Sequence, residues 1–163
     1  SLQQRLLRFA RNDFVILNPF SNMILISGCL VGLDCRYDGT SEKDEQVLES
    51  LKSTPLVPVC PEQLGGLSTP RARAEIVGGD GHDVLARRAR VLDETGRDVT
   101  ISFIKGAAET LKLTQLLGIK EAYLKGKSPS CGSGTIWRRG QLVQGDGVCT
   151  ALLSKNGIRI TCV

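Results

Sequence analysis

A chain of 163 residues, 41% of them apolar and carrying a net charge of +4, has the size of one domain with a core of its own. The charge is small and its Lys and Arg are dispersed, which argues against a stable nucleic-acid binder. No apolar run is long enough to cross a bilayer and no secretory signal is evident, so the expectation is a cytoplasmic protein without a membrane partner.

Residues 1–22 hold Arg5, Arg8 and Arg11 against a single acid, Asp13, and read as an N-terminal extension to a domain spanning 23–163. Met23 opens a strand pattern, Ile24-Leu25-Ile26-Ser27, predicted over 23–27. A helix is predicted from Ser41, as N-cap, to Lys52, and a second strand over 56–59. Gly-Gly and Gly-Asp punctuation marks residues 65–98 as an irregular excursion containing a hairpin near Val91 and Leu92.

From Thr100 the residues Phe103, Ile104, Ala107, Leu111, Leu113 and Leu116 recur at helical spacing, and Gly118 ends the run. A strand over 120–124, a helix over 148–155 closed by Asn156-Gly157, and a strand over 157–161 complete the chain. Strands alternating with helices predict an α/β fold, a single-domain three-layer Rossmann-like arrangement with a mainly parallel sheet. The scarcity of aromatics, 4%, suits a Val- and Ile-rich buried sheet.

The six cysteines, in a chain without a secretory signal, point to metal binding, redox chemistry or buried thiols rather than to a disulfide scaffold. Cys149 and Cys162 sit in apolar stretches and are expected in the core. Cys29 follows the first predicted strand, Cys60 the second, and Cys131 lies in the loop after the third. In parallel α/β sheets such strand-end loops converge on one crevice, so these thiols are expected to meet there. Converging thiolates favour zinc or an iron-sulfur cluster. No pair is spaced C-x-x-C, which makes zinc the second choice. Three protein ligands would leave one iron of a cluster open as a Lewis acid. Cys35 is the alternative to Cys29.

Glu62, two residues beyond Cys60, is a candidate base. Pro129 favours a turn that folds Ser128 back toward Cys131, which makes Ser128 the better-placed hydroxyl beside Ser130. Arg36, Asp38 and Lys125, with Lys127, supply hydrogen-bonding groups for a substrate. His82 reads as surface.

Cys-Leu-Val-Gly-Leu-Asp-Cys-Arg-Tyr-Asp-Gly from Cys29, Cys-Pro-Glu-Gln-Leu-Gly-Gly-Leu from Cys60 and Lys-Gly-Lys-Ser-Pro-Ser-Cys-Gly from Lys125 together resemble the thiouracil desulfurase family, once catalogued as a domain of unknown function. The resemblance runs from Met23 to the C-terminus. It implies a [4Fe-4S] cluster bound by three cysteines, with one open iron beside a glutamate and a serine. It also implies non-redox desulfuration of thiouracil or a related thiolated nucleobase or nucleoside, releasing hydrogen sulfide. On this sequence the matching residues are Glu62 and Ser128 or Ser130, with Cys29, Cys60 and Cys131 as ligands. The rival readings are an iron-sulfur or zinc module that senses redox state or metal without turnover, and a thiol redox enzyme using Cys29 or Cys35.

Overall fold

The computed structural model describes residues 22–163, so the reading of the N-terminal extension lies outside the described residues except at Asn22. Its elements, in chain order, are β1 (Ile24–Ser27), a short 3-10 turn (Gly28–Val31), α1 (Glu45–Ser50), β2 (Leu56–Val59), α2 (Pro61–Leu64), β3 (Ala74–Val77), α3 (Gly81–Leu85), β4 (Arg90–Asp93), α4 (Thr100–Leu117), β5 (Glu121–Leu124), β6 (Thr135–Arg138), β7 (Gln141–Gln144), α5 (Val148–Lys155) and β8 (Arg159–Cys162).

Four of these strands form a parallel sheet in the order β2-β1-β5-β8. Successive side chains of a strand point to opposite faces. Leu25, Ala122 and Leu124 accordingly join Phe103 and Ala107 of α4 and Cys149 and Leu153 of α5 in one apolar cluster. Ile24 and Ile26 turn the other way, onto Leu30 and Leu51. Covering both faces is what permits an apolar parallel sheet, and the three-layer α/β expectation holds. The expected hairpin in the excursion is the antiparallel pair β3-β4. A second hairpin, β6-β7, was not foreseen.

Two expectations are corrected. The first helix begins at Glu45, not beyond a Ser41 cap, because Asp44 caps it by accepting from the Val47 N–H at 3.0 Å. The residues before it serve another purpose: Glu42 N–H donates to the Cys29 carbonyl and Asp44 N–H to the Leu30 carbonyl, both at 3.0 Å. Cys162 is exposed, whereas Cys149 is fully buried as expected. The reason is that β8 is an edge strand paired only with β5.

The seat of α2 depends on close backbone approach. A Cβ at Gly106 of α4 would collide with the Pro61 carbonyl, and one at Gly65 with the Ser102 carbonyl. These two glycines let α2 lie directly on α4. Gly106→Ala is therefore expected to lower stability by about 1–3 kcal/mol, the usual penalty of overpacking, and the Tm by roughly 5 °C. Thermal unfolding of parent and variant checks this.

Candidate active site

Because β2, β1 and β5 are neighbours and parallel, the segments leaving their carboxyl ends meet at one edge of the sheet. A cavity of about 370 Å³ lies there, and Cys29, Cys35, Cys60 and Cys131 all line it. Each thiol is positioned by backbone. Cys29 sits in the 3-10 turn directly after β1, and Cys60 caps the start of α2 with Pro61 as the first helical residue.

Cys131 lies in a loop held on the N-terminus of α5. Val148 and Cys149 N–H groups donate to the Pro129 and Ser130 carbonyls, both at 2.9 Å, and the Thr150 hydroxyl donates to the Cys131 carbonyl at 2.8 Å. Helix N-terminal N–H groups lack intrahelical partners, so the loop's carbonyls supply them. Ser27, at the end of β1, accepts from the Lys125 N–H at 2.9 Å and so ties the segment after β5 to the first strand.

The thiols are close and mostly buried: Cys29, Cys35 and Cys131 are 7%, 4% and 4% exposed. The Cys35 thiol is pushed up to about 11, chiefly by its hydrogen bond with Cys29. That of Cys60 is raised by its hydrogen bond with Cys35, then by burial and by the charge of Glu62. Burial raises Cys131 most, with the charge of Glu62 next, while the Ser27 hydroxyl opposes the shift. Ionising any of these three therefore calls for a compensating cation.

Glu62 lines the same cavity, and the Cys60 thiol donates to its Oε2 at 3.5 Å. Ser128 also lines it, and its Oγ accepts from the Ser130 and Cys131 N–H groups at 3.1 and 3.2 Å. The hydroxyl proton is left for another acceptor. The expected fold-back of Ser128 is realised through this side-chain cap and a Gly132 N–H to Ser128 carbonyl bond of 2.9 Å. Ser130 is buried and is not among the residues lining the cavity.

Arg36 and Lys125 reach the cavity while sharing Glu42, each at 3.0 Å. Asp38 does not reach it. Its carboxylate is held by the Thr40 N–H and hydroxyl, which lower its pKa. His82 is an exposed residue beside Asp146.

The profile of the 2-thiouracil desulfurase family matches residues 24–163. The chain belongs to that family. Among its relatives, YbbK, an uncharacterized protein of Bacillus subtilis strain 168, is 43% identical over 141 residues, covering 85% of this chain and 93% of the relative. Among solved structures, a [4Fe-4S]-dependent thiouracil desulfidase is 39% identical with a TM-score of 0.76, covering 86% of this chain and 90% of that one.

The residues present fit the cluster that this desulfidase carries. The donors are soft thiols and they come from several loops. Donors spread around a cavity wall suit a polynuclear core.

Sequence reasoning missed several members of this desulfurase-family cavity. Arg71, Arg73, Arg97 and Trp137 all line it. Isolated arginines in an irregular segment look like solvated surface, and only the folding of β3-β4 against the cysteine loops brings them in. A cleft of Arg36, Arg73, Lys125 and Lys127 with Tyr37 and Trp137 adjoins the cavity, and its one carboxylate, Glu42, is already shared by Arg36 and Lys125. Among the described residues, no carboxylate pairs with the side chain of Arg73, Arg97 or Lys127.

Proposed function

We propose that this protein is a [4Fe-4S]-dependent desulfurase acting on a thiolated nucleobase or nucleoside, with Cys29, Cys60 and Cys131 as ligands and one iron open. The observation that carries this reading is the convergence of the strand-end thiols and Glu62 on one cavity in a chain of the desulfurase family. Cys35, in hydrogen-bond contact with both Cys29 and Cys60, is the alternative to Cys29.

The chemical difficulty is that a thiocarbonyl carbon is a modest electrophile and sulfide a poor leaving group. A bound cluster supplies Lewis acidity and a sink for sulfur. The protein's own groups supply the rest. Glu62 takes a proton from water and so directs its oxygen at the carbon. Ser128, with its oxygen already accepting two N–H groups, turns its proton into the cavity and orients that water. Phe103, Val99 and Trp137 line the wall and exclude bulk water. Water's oxygen replaces the sulfur, which leaves as hydrogen sulfide, and no electron is transferred.

The deciding experiment is anaerobic incubation of the cluster-loaded protein with thiouracil, following loss of the thiocarbonyl absorbance and release of sulfide. Turnover with stoichiometric sulfide supports the enzyme. A loaded protein that converts neither thiouracil nor thiouridine leaves the sensor reading in its place.

The cationic cleft favours a substrate with an anionic extension, such as a thiolated nucleoside monophosphate. Such a substrate is expected to show a KM below that of the free base. Arg73→Ala should raise that KM roughly tenfold, the value of one charge-assisted hydrogen bond, and raise the KM of the free base, which carries no anionic group for Arg73 to hold, by much less. Steady-state kinetics on the two substrates checks this.

A further inference from the structure

Arg71 is the nearly buried cation of the site, and the chemistry above gives it no task. Its side chain is 10% exposed and that of its partner Glu62 13%. One guanidinium nitrogen donates to the Cys35 carbonyl at 3.0 Å, the Thr69 hydroxyl at 3.2 Å and the Ser68 carbonyl at 3.4 Å. The other lies 3.6 Å from Glu62 Oε1 and 3.9 Å from the Cys60 sulfur. Its own backbone N–H donates to the Tyr37 carbonyl at 2.8 Å. One residue thus touches the loop after β1, the start of α2, and the base.

A buried charge without a partner is strongly unfavourable, so Arg71 and Glu62 hold each other in place. Glu62 also has two oxygens with separate surroundings. Oε1 faces Arg71 and Oε2 faces the Cys60 sulfur. An ion pair at one oxygen narrows the orientations open to the carboxylate, and that is what a base needs before its water arrives.

We infer that Arg71 is the positioning residue of this site, ion-paired with the Glu62 carboxylate at Oε1 while donating to the sulfur of Cys60 and to the carbonyl of Cys35. The fork geometry is the reason for arginine: several fixed donors serve several acceptors at once, and a lysine ammonium cannot reproduce the arrangement. The contact with Cys60 adds a second consequence. Hydrogen bonds and charge beside a cluster sulfur set the cluster's reduction potential.

The inference rests on the desulfurase reading for its kinetic consequence and only on cluster binding for its electrochemical one. Its test compares the cluster-loaded parent with Arg71→Gln, Arg71→Lys, Glu62→Gln and the Arg71→Gln/Glu62→Gln double variant, each normalised to iron and sulfide content. Arg71→Gln is expected to lose roughly a hundredfold in kcat, the effect of a misplaced catalytic group, with KM nearly unchanged.

In the double variant kcat should fall no further than in Glu62→Gln alone, because Arg71 acts through Glu62. The midpoint potential of the cluster, read by an EPR-monitored titration, should become more negative in Arg71→Gln and stay near the parent value in Arg71→Lys, which keeps the charge. If Arg71→Gln does not fold or load, Arg71→Lys carries the kinetic test, with kcat expected at least tenfold below the parent because the fork is lost. Parent kcat in either single variant, additive losses in the double, or an unmoved potential in Arg71→Gln overturns the inference. A loaded parent without turnover refutes the desulfurase reading instead, and leaves the potential to decide the contact with Cys60.

Discussion

Cys60→Ala and Cys131→Ala are each expected to strip the protein of its cluster, leaving a colourless preparation, whereas Cys149→Ala keeps it. The first two thiols line the cavity from different strand-end segments. Loss of an outer-shell partner already costs metal sites roughly 10–100-fold in affinity, so loss of a ligand should exceed that. Cys149 is buried among Phe103, Ala107 and Leu153, with burial pushing its thiol up to about 12, and it does not line the cavity. Iron and sulfide per chain, measured after anaerobic purification, decide the matter. A Cys60→Ala or Cys131→Ala protein with parent iron would remove that residue from the ligand set.

Between Cys29 and Cys35 the loss is expected to be greater for Cys29, which follows β1 directly and is pinned by the Glu42 N–H. Cys35 lies beyond the left-handed Gly32, and its sulfur faces the open side of Gly28. A Cys35→Ala variant without iron, beside a Cys29→Ala variant that keeps it, reverses the choice.

How much of this was legible in the sequence depends on how local the signal was. Strand ends were readable because short apolar runs stop at Ser27, Val59 and Leu124, and the thiols follow by rule of topology. The β6-β7 hairpin was missed although its signal is local. Arg139-Gly140 joins the strands with positive φ at both positions, 49° and 73°, as a two-residue mirror-image turn requires. Arginine is an uncommon residue there, and that hid the turn. Arg71 had no local signal at all. Its meaning arises only when residues 68–71 fold against Cys35 and Glu62. Ser41 misled for a comparable reason: a better-placed carboxylate three residues on took the cap, and residues 42–44 were drawn into holding the turn that carries Cys29.

Glu62→Gln is expected to retain the cluster and lose turnover by roughly a hundredfold or more, the usual share of a general base. Glutamine keeps the shape of glutamate and an oxygen for Arg71, yet cannot take a proton from water at neutral pH. The exchange does leave the Arg71 charge without a full counter-charge in a nearly buried place, so some stability is lost as well. Activity is therefore expressed per loaded cluster, and folding is followed separately by thermal unfolding. On that basis a purely structural role predicts a less stable protein with parent kcat per cluster, whereas a base predicts a low kcat in the fraction that remains folded and loaded. KM for the thiolated substrate should stay near the parent value, because Glu62 acts on the water and the cleft residues hold the substrate. A Glu62→Gln protein with full cluster and near-parent kcat would take Glu62 out of the chemistry and leave it the role of counter-charge to Arg71.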